Sequence, residues 1–277
     1  AEYVFTYGAT QSNHAMQTAA ACRKLGLKPV LYLLDFVDTD ASNCKGNLLL
    51  DKIFGAEVHI IKTLPDETLF DSKERYMAYA RSHMQKLEAA GHKCYSVPLG
   101  GSNFIGTTGF VAGYVELEEQ LAAEGITADF IFHANGSGGT MAGLAIGKKL
   151  LDSSTTIVAV DAAEHSADFM DEMVELGNAA LQWLGSNANM TANDFCMDED
   201  FFAPGYEMPS EQGSAAIKLL AREEGILLDP VYSGKAFACF LDYVQKGKVP
   251  KGSNVIFWHT GGATALFAEK EILGNVF

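Results

Sequence analysis

Four short stretches of the chain combine residue types and spacings that can do chemistry. The densest is Asn135-Gly136-Ser137-Gly138-Gly139-Thr140, set between an apolar run and a small-residue run. Glycines there let successive backbone N–H groups converge on one anion, and a helix beginning at the turn adds a favourable dipole. Ser137 and Thr140 add hydroxyl donors. Met141 stands where a Walker loop needs its lysine, which disfavours ATP hydrolysis. Ala142 replaces the last glycine of the dinucleotide fingerprint, and the stretch lies mid-chain. A tight turn with close helix packing would use the same glycines.

The second stretch, Gln11-Ser12-Asn13-His14, follows an apolar strand. Ser12 or Asn13 can cap the helix that follows. Four adjacent polar residues exceed what a cap requires, and open α/β sheets place ligands at the carboxyl ends of their strands. His14 alone reads as a structural or solvated histidine. The third signal is a pair of loop tyrosines, Tyr206 in Gly205-Tyr206-Glu207-Met208-Pro209 and Tyr232 in Asp229-Pro230-Val231-Tyr232-Ser233. Loop phenols usually pack with a wet hydroxyl. The fourth is the strand-end turn His259-Thr260-Gly261-Gly262.

The elements that must position these residues follow from hydrophobic period. Strands are expected at Tyr3 to Tyr7, Pro29 to Leu34, Glu57 to Ile61, Lys93 to Pro98, Asp129 to Ala134, Thr156 to Val160 and Asn254 to Trp258. Helices are expected at about Asn13 to Leu25, Gly46 to Phe54, Glu67 to Ala90, Gly109 to Glu124, Met141 to Leu151, Glu211 to Glu224 and Ala236 to Lys246. Two further helices are expected within Glu164 to Met197, and a loop from Asp198 to Gly205. Strands alternating with helices specify an α/β class with a mostly parallel sheet. No internal repeat is visible.

Composition narrows the partners. The 277 residues are 48% hydrophobic and 20% charged, ordinary for a globular chain that divides into two lobes. A net charge of -15 lacks the basic face that nucleic acid or anionic lipid requires, so a small-molecule substrate is expected. Five scattered cysteines with no C-x-x-C pair fit a reducing compartment. No spanning segment or secretory leader is readable, and the cytoplasm is the expected location. The opening Glu2 to Gly8 reads as a buried strand, an abrupt start that suggests preceding residues.

TYGATQSNHAMQTAAACRKLGL, VPLGGSNFIGTTGFVAGYVELEEQL, ANGSGGTMAGLAIG, EGILLDPVYSGKA and FWHTGGATALF together resemble the D-cysteine desulfhydrase and aminocyclopropane-carboxylate deaminase branch of the tryptophan-synthase-β-like pyridoxal-phosphate enzymes, in family order from Gly8 to Phe267. The resemblance implies two open-sheet α/β lobes of fold type II with the cofactor in the cleft between them. It places the smaller lobe at residues 1–97, the larger cofactor-binding lobe at 98–277, and a homodimer. It implies that Asn135 and Gly136 to Thr140 hold the cofactor phosphate, Asn13 bonds its phenolic oxygen and Thr260 faces its pyridine nitrogen. Ser12, His14, Tyr206 and Tyr232 would contact the amino-acid substrate, with Ser12 and the two tyrosines catalytic. Ser233 stands where the deaminases carry a glutamate that holds a protonated ring nitrogen. A hydroxyl at Thr260 instead favours β-elimination over ring opening.

The resemblance also implies a Schiff-base lysine in a G-G-N-K-type segment upstream of the first strand. Lys24 is the first lysine of the chain and reads as a helix-end cation. The chain as given is therefore expected to be incomplete and inactive by itself. The leading expectation is a lyase releasing pyruvate, ammonia and sulfide from D-cysteine, with aminocyclopropane-carboxylate deamination as the alternative. A noncatalytic binder of a phosphorylated ligand is the rival from another class.

Overall fold

Apolar strands that read as near-continuous Val, Ile, Leu and aromatic runs must be covered on both faces, and helices between them do the covering. The computed structural model describes residues 1–40, 42–62, 64, 69–163, 165–268 and 270–275. It divides into two compact units, Ala1–Gly100 with Thr264–Leu273, and Gly101–Ala263 with Gly274–Phe277.

The first unit runs β1 (Tyr3–Ala9), α1 (Asn13–Lys24), β2 (Lys28–Asp35), α2 (Gly46–Ile53), β3 (Glu57–Lys62), α3 (Leu69–Ala89) and β4 (Cys94–Ser96). Its sheet is parallel throughout, in the order β3-β2-β1-β4. One face packs Phe5, Tyr7, Val30, Tyr32 and Leu34 against Tyr76 and Ala80. The other packs Leu31 and Leu33 on Ala15, Ala19 and Leu48. This alternation of side chains across β2 is the period-two signal of a doubly covered strand.

The second unit contains α4 (Phe104–Glu124), β5 (Phe130–Asn135), α5 (Gly139–Leu150), β6 (Thr156–Asp161), α6 (Phe169–Trp183), β7 (Met197–Asp198), α7 (Glu211–Glu224), α8 (Ser233–Gln245) and β8 (Val255–Trp258). Its sheet is also parallel, in the order β7-β6-β5-β8. A 3-10 turn at Ala263–Phe267 then leads to α9 (Lys270–Leu273), most of which the contacts assign to the first unit.

Each sheet sends the chain outward in one direction from β1 or β5 and places its last strand, β4 or β8, on the other side. The crevices between β1 and β4 and between β5 and β8 are topological switch points, where open α/β sheets receive ligands. The polar stretches after β1 and β5 lie at those ends.

Several element limits differ from the sequence expectation for local reasons. Helix α4 starts at Phe104 rather than Gly109 because Asn103 caps it, accepting the Gly106 N–H at 2.7 Å. The last unit helix starts at Ser233 rather than Ala236, since Asp229 captures its first N–H groups. Of two helices expected between Glu164 and Met197, the described residues form one, α6, followed by a 3-10 turn at Ala192–Asp194. Met197 and Asp198, read as a boundary and a loop, add an edge strand to β6. The expected start of the long helix at Glu67 lies outside the described residues. Among the described residues no helix is long and apolar enough to cross a membrane.

Candidate active site

In the second unit, β5 delivers Asn135 to the sheet end and the chain turns through Gly136, Ser137 and Gly138 into α5. Gly138 is the N-cap residue at φ 85°, a left-handed conformation that favours glycine, and it offers no side-chain cap. The cap residue thus supplies no acceptor of its own to the helix end. Gly139 approaches Ser102 so closely that a Cβ would come within 2.8 Å of its Oγ. Ser102 Oγ accepts the Gly139 N–H at 3.1 Å and donates to Ser137 Oγ at 2.7 Å, which fixes the turn from outside. Asn135 is buried, its amide donates to Met197 Sδ at 3.7 Å, and among the described residues its Oδ1 has no partner. Thr140 sits half-buried in the first helical turn.

Tyr232 lies against this turn, its Cε1 3.3 Å from where a Cβ on Gly136 would stand. The Tyr206 and Tyr232 hydroxyls are 2.7 Å apart, with rings edge to face at 6.0 Å. Burial pushes both phenols above their ordinary range, so each stays protonated near neutral pH. These half-buried tyrosines bond each other through their hydroxyls.

Local pattern does not announce the residues that hold these phenols. Asp229, buried, accepts the N–H groups of Val231, Tyr232 and Ser233 and the Ser233 hydroxyl. Lys235, fully buried in the first turn of α8, donates to the carbonyls of Phe202 at 2.8 Å and Gly205 at 2.9 Å. It ties the Tyr206 loop to the helix that follows Tyr232. Burial pulls its ammonium down to about 8, against the pull of Asp161 and Asp229. A buried lysine directed at two carbonyls is invisible locally, because its partners lie about 30 residues upstream.

Thr260 follows β8, whose Trp258 pairs with His133 of β5, so the threonine shares the sheet end with the glycine turn. The adjacent His259 accepts the Gly261 N–H on Nδ1 and donates from Nε2 to Leu227 O, each at 3.0 Å, which sets its tautomer.

In the first unit Ser12 caps α1, accepting the Ala15 N–H at 3.1 Å. Asn13 Oδ1 accepts from Asn47 Nδ2 at 2.7 Å. Asn47 is itself buried, bonded to Gln11 through its N–H and its amide and accepting from Thr264. With Oδ1 held, the Asn13 side chain keeps an N–H2 donor for a ligand. His14 pairs with Thr6 Oγ1 at 2.7 Å, and burial pulls its pKa down to about 4, leaving a neutral imidazole. Lys24 is an exposed cation in the last turn of α1.

The family model described as pyridoxal-phosphate dependent enzyme matches residues 5–261 of the chain. A D-cysteine desulfhydrase of Serratia proteamaculans is 39% identical over 280 residues, covering 97% of this chain and 78% of its relative. A D-cysteine desulfhydrase of Klebsiella pneumoniae is 38% identical over 270 residues, with the same coverage. Among solved structures, an ACC deaminase homologue superposes with a TM-score of 0.82 at 34% identity, covering 96% of this chain and 76% of its own.

Proposed function

The chain belongs to the pyridoxal-phosphate dependent enzymes, and from that premise we propose that it converts D-cysteine and water to pyruvate, ammonia and sulfide. The residues present fit the cofactor. A helix N-terminus whose own cap residue, Gly138, carries no side chain, together with the hydroxyl donors of Ser137 and Thr140, suits a phosphate group. Asn13, held through Oδ1 by Asn47, presents an amide donor to the phenolic oxygen, and Thr260 a neutral hydroxyl to the ring nitrogen. When bound, pyridoxal phosphate supplies the electron sink that stabilises a carbanion at the substrate's α-carbon.

The observation that carries the reading is the phenol pair, bonded at 2.7 Å and seated on the glycine turn. A hydroxyl dimer of this kind donates one proton internally and keeps one for a substrate. Burial keeps both phenols protonated, so the pair has a proton to give, and the substrate sulfur is the group proposed to receive it. That is the requirement of β-elimination, in which the departing sulfur leaves with the electron pair of its carbon bond and takes a proton. Ser12 and His14 are assigned to the substrate, His14 as a neutral hydrogen-bonding group. Ser233 is turned into Asp229, so the position carrying an acid in the deaminases presents no charge to the ring nitrogen. A homodimer in a reducing compartment completes the proposal, in keeping with five cysteines that form no disulfide.

The test incubates the full-length protein with D-cysteine, L-cysteine and aminocyclopropane-carboxylate and measures sulfide, pyruvate and ketobutyrate. Sulfide and pyruvate from D-cysteine are expected. Turnover of aminocyclopropane-carboxylate alone would overturn the elimination assignment. Phosphate-competitive ligand binding with no turnover of any substrate would establish a noncatalytic binder.

A further inference from the structure

Glu57 and His59 stand two residues apart on β3, an edge strand, and so project from the same face of the sheet. His83 reaches that face from α3. His59 Nε2 lies 2.8 Å and His83 Nε2 3.8 Å from Glu57 Oε1, and one ligand atom from each of the three residues falls within 4.8 Å of the others. None of the three belongs to the candidate active site.

Both imidazoles are held by aromatic neighbours. His59 is directly opposite Tyr32 in the β2–β3 register and stacks on it at 4.5 Å and 15°. His83 meets the edge of Phe5 at 5.3 Å and crosses His59 at 5.4 Å and 79°. The Tyr32 hydroxyl bonds His83 Nδ1 at 3.2 Å. A metal-binding histidine ordinarily has its second nitrogen fixed in this way, with the proton on the bonded nitrogen and the lone pair on the other. Here that lone pair would be on Nε2, the atom beside Glu57.

We infer that Glu57, His59 and His83 form a binding site for a first-row divalent transition metal ion of the zinc type. Two imidazole nitrogens and one carboxylate oxygen are a donor set zinc accepts, with water in the fourth position. Bonds of about 2.0–2.1 Å in a tetrahedron separate donors by roughly 3.3 Å. The observed 2.8 and 3.8 Å bracket that value, and with all three donor atoms within 4.8 Å of one another side-chain rotations bring them to a common ion. The bound ion would clip the free edge of the sheet to α3.

Titrating the full-length holoenzyme with cobalt(II) tests this. Visible d–d bands saturating at one ion per chain, without sulfur-to-cobalt charge transfer, are expected. His59→Gln and His83→Gln should each weaken binding at least tenfold while leaving turnover unchanged. Glu57→Gln, at an exposed position, gives an independent variant if either histidine substitution unfolds the protein, and it should weaken binding by the same order. Saturating metal should raise Tm by a few degrees in the parent and not in the variants. Absence of saturable binding, unchanged affinity in the folded variants, or a sulfur charge-transfer band placing the ion on cysteine would each overturn the assignment.

Discussion

The chemistry proposed at Tyr206 and Tyr232 depends on their two hydroxyl groups, while the Tyr232 ring packs against the core of the second sheet and the two rings meet edge to face. Tyr232→Phe and Tyr206→Phe should therefore each lower kcat on D-cysteine by about 10²-fold or more, in the range of lost acid–base assistance. Their Tm should fall only slightly, the loss of one neutral hydrogen bond being about 1 kcal/mol. Steady-state kinetics beside thermal melts separate the two effects. His14 makes a different prediction. Its folded pKa of about 4 lies below the 6.5 of an unfolded histidine, so the unfolded chain binds the proton first as pH falls. Stability from this group is complete above about pH 6.5 and declines until about pH 4. The His14→Gln variant should lose less stability between those limits, by roughly 1–3 kcal/mol, as read from urea midpoints.

At the scale of elements, two joints aim the site. Ser102, ahead of α4, reaches the turn between β5 and α5 through Gly139 and Ser137. Ser102→Ala should cost about 1–2 kcal/mol and speed loss of the cofactor on dialysis, because the turn keeps its glycines but loses its outer brace. Asp229 forms the second joint. Its replacement by Ala removes the acceptor of three backbone N–H groups at the start of α8 and should cost on the order of 3 kcal/mol, measurable by denaturant unfolding. These joints also mark what the sequence could disclose. The glycine turn and the cap at Ser12 were legible because local stereochemistry admits few residues there. The limits of most strands followed from their apolar runs. Ser102 and Lys235 stayed hidden because their meaning resides in partners about 30 or more residues away. The pairing of the two phenols was equally silent, since spacing along the chain does not show that two loops meet.

Over the whole molecule the same sheet order, last-but-one outward strand to first to final strand, occurs twice without any visible sequence repeat. Shared topology here reflects the packing of parallel strands under helices rather than shared residues. The segment Thr264–Leu273 returns to the first unit. Thr264 donates to Asn47, the residue that holds Asn13. Deleting residues 264–277 should therefore loosen the Asn13 network more than the second sheet. Hydrogen exchange of the α2 amides should rise at least tenfold, with β5 and β6 amides little changed.

That returning segment also sets an order of events during synthesis. The four described strands of the first sheet are made once residue 96 leaves the ribosome, yet the contacts made by Thr264 must wait for about 170 further residues. At roughly 5–20 residues per second this interval is on the order of ten to thirty seconds. Throughout it the nascent first unit holds Asn47 without its distant hydroxyl partner, and the second unit is translated in the meantime. Codon choice and chaperone access along residues 101–263 thus bear on the maturation of a unit whose strands have already emerged.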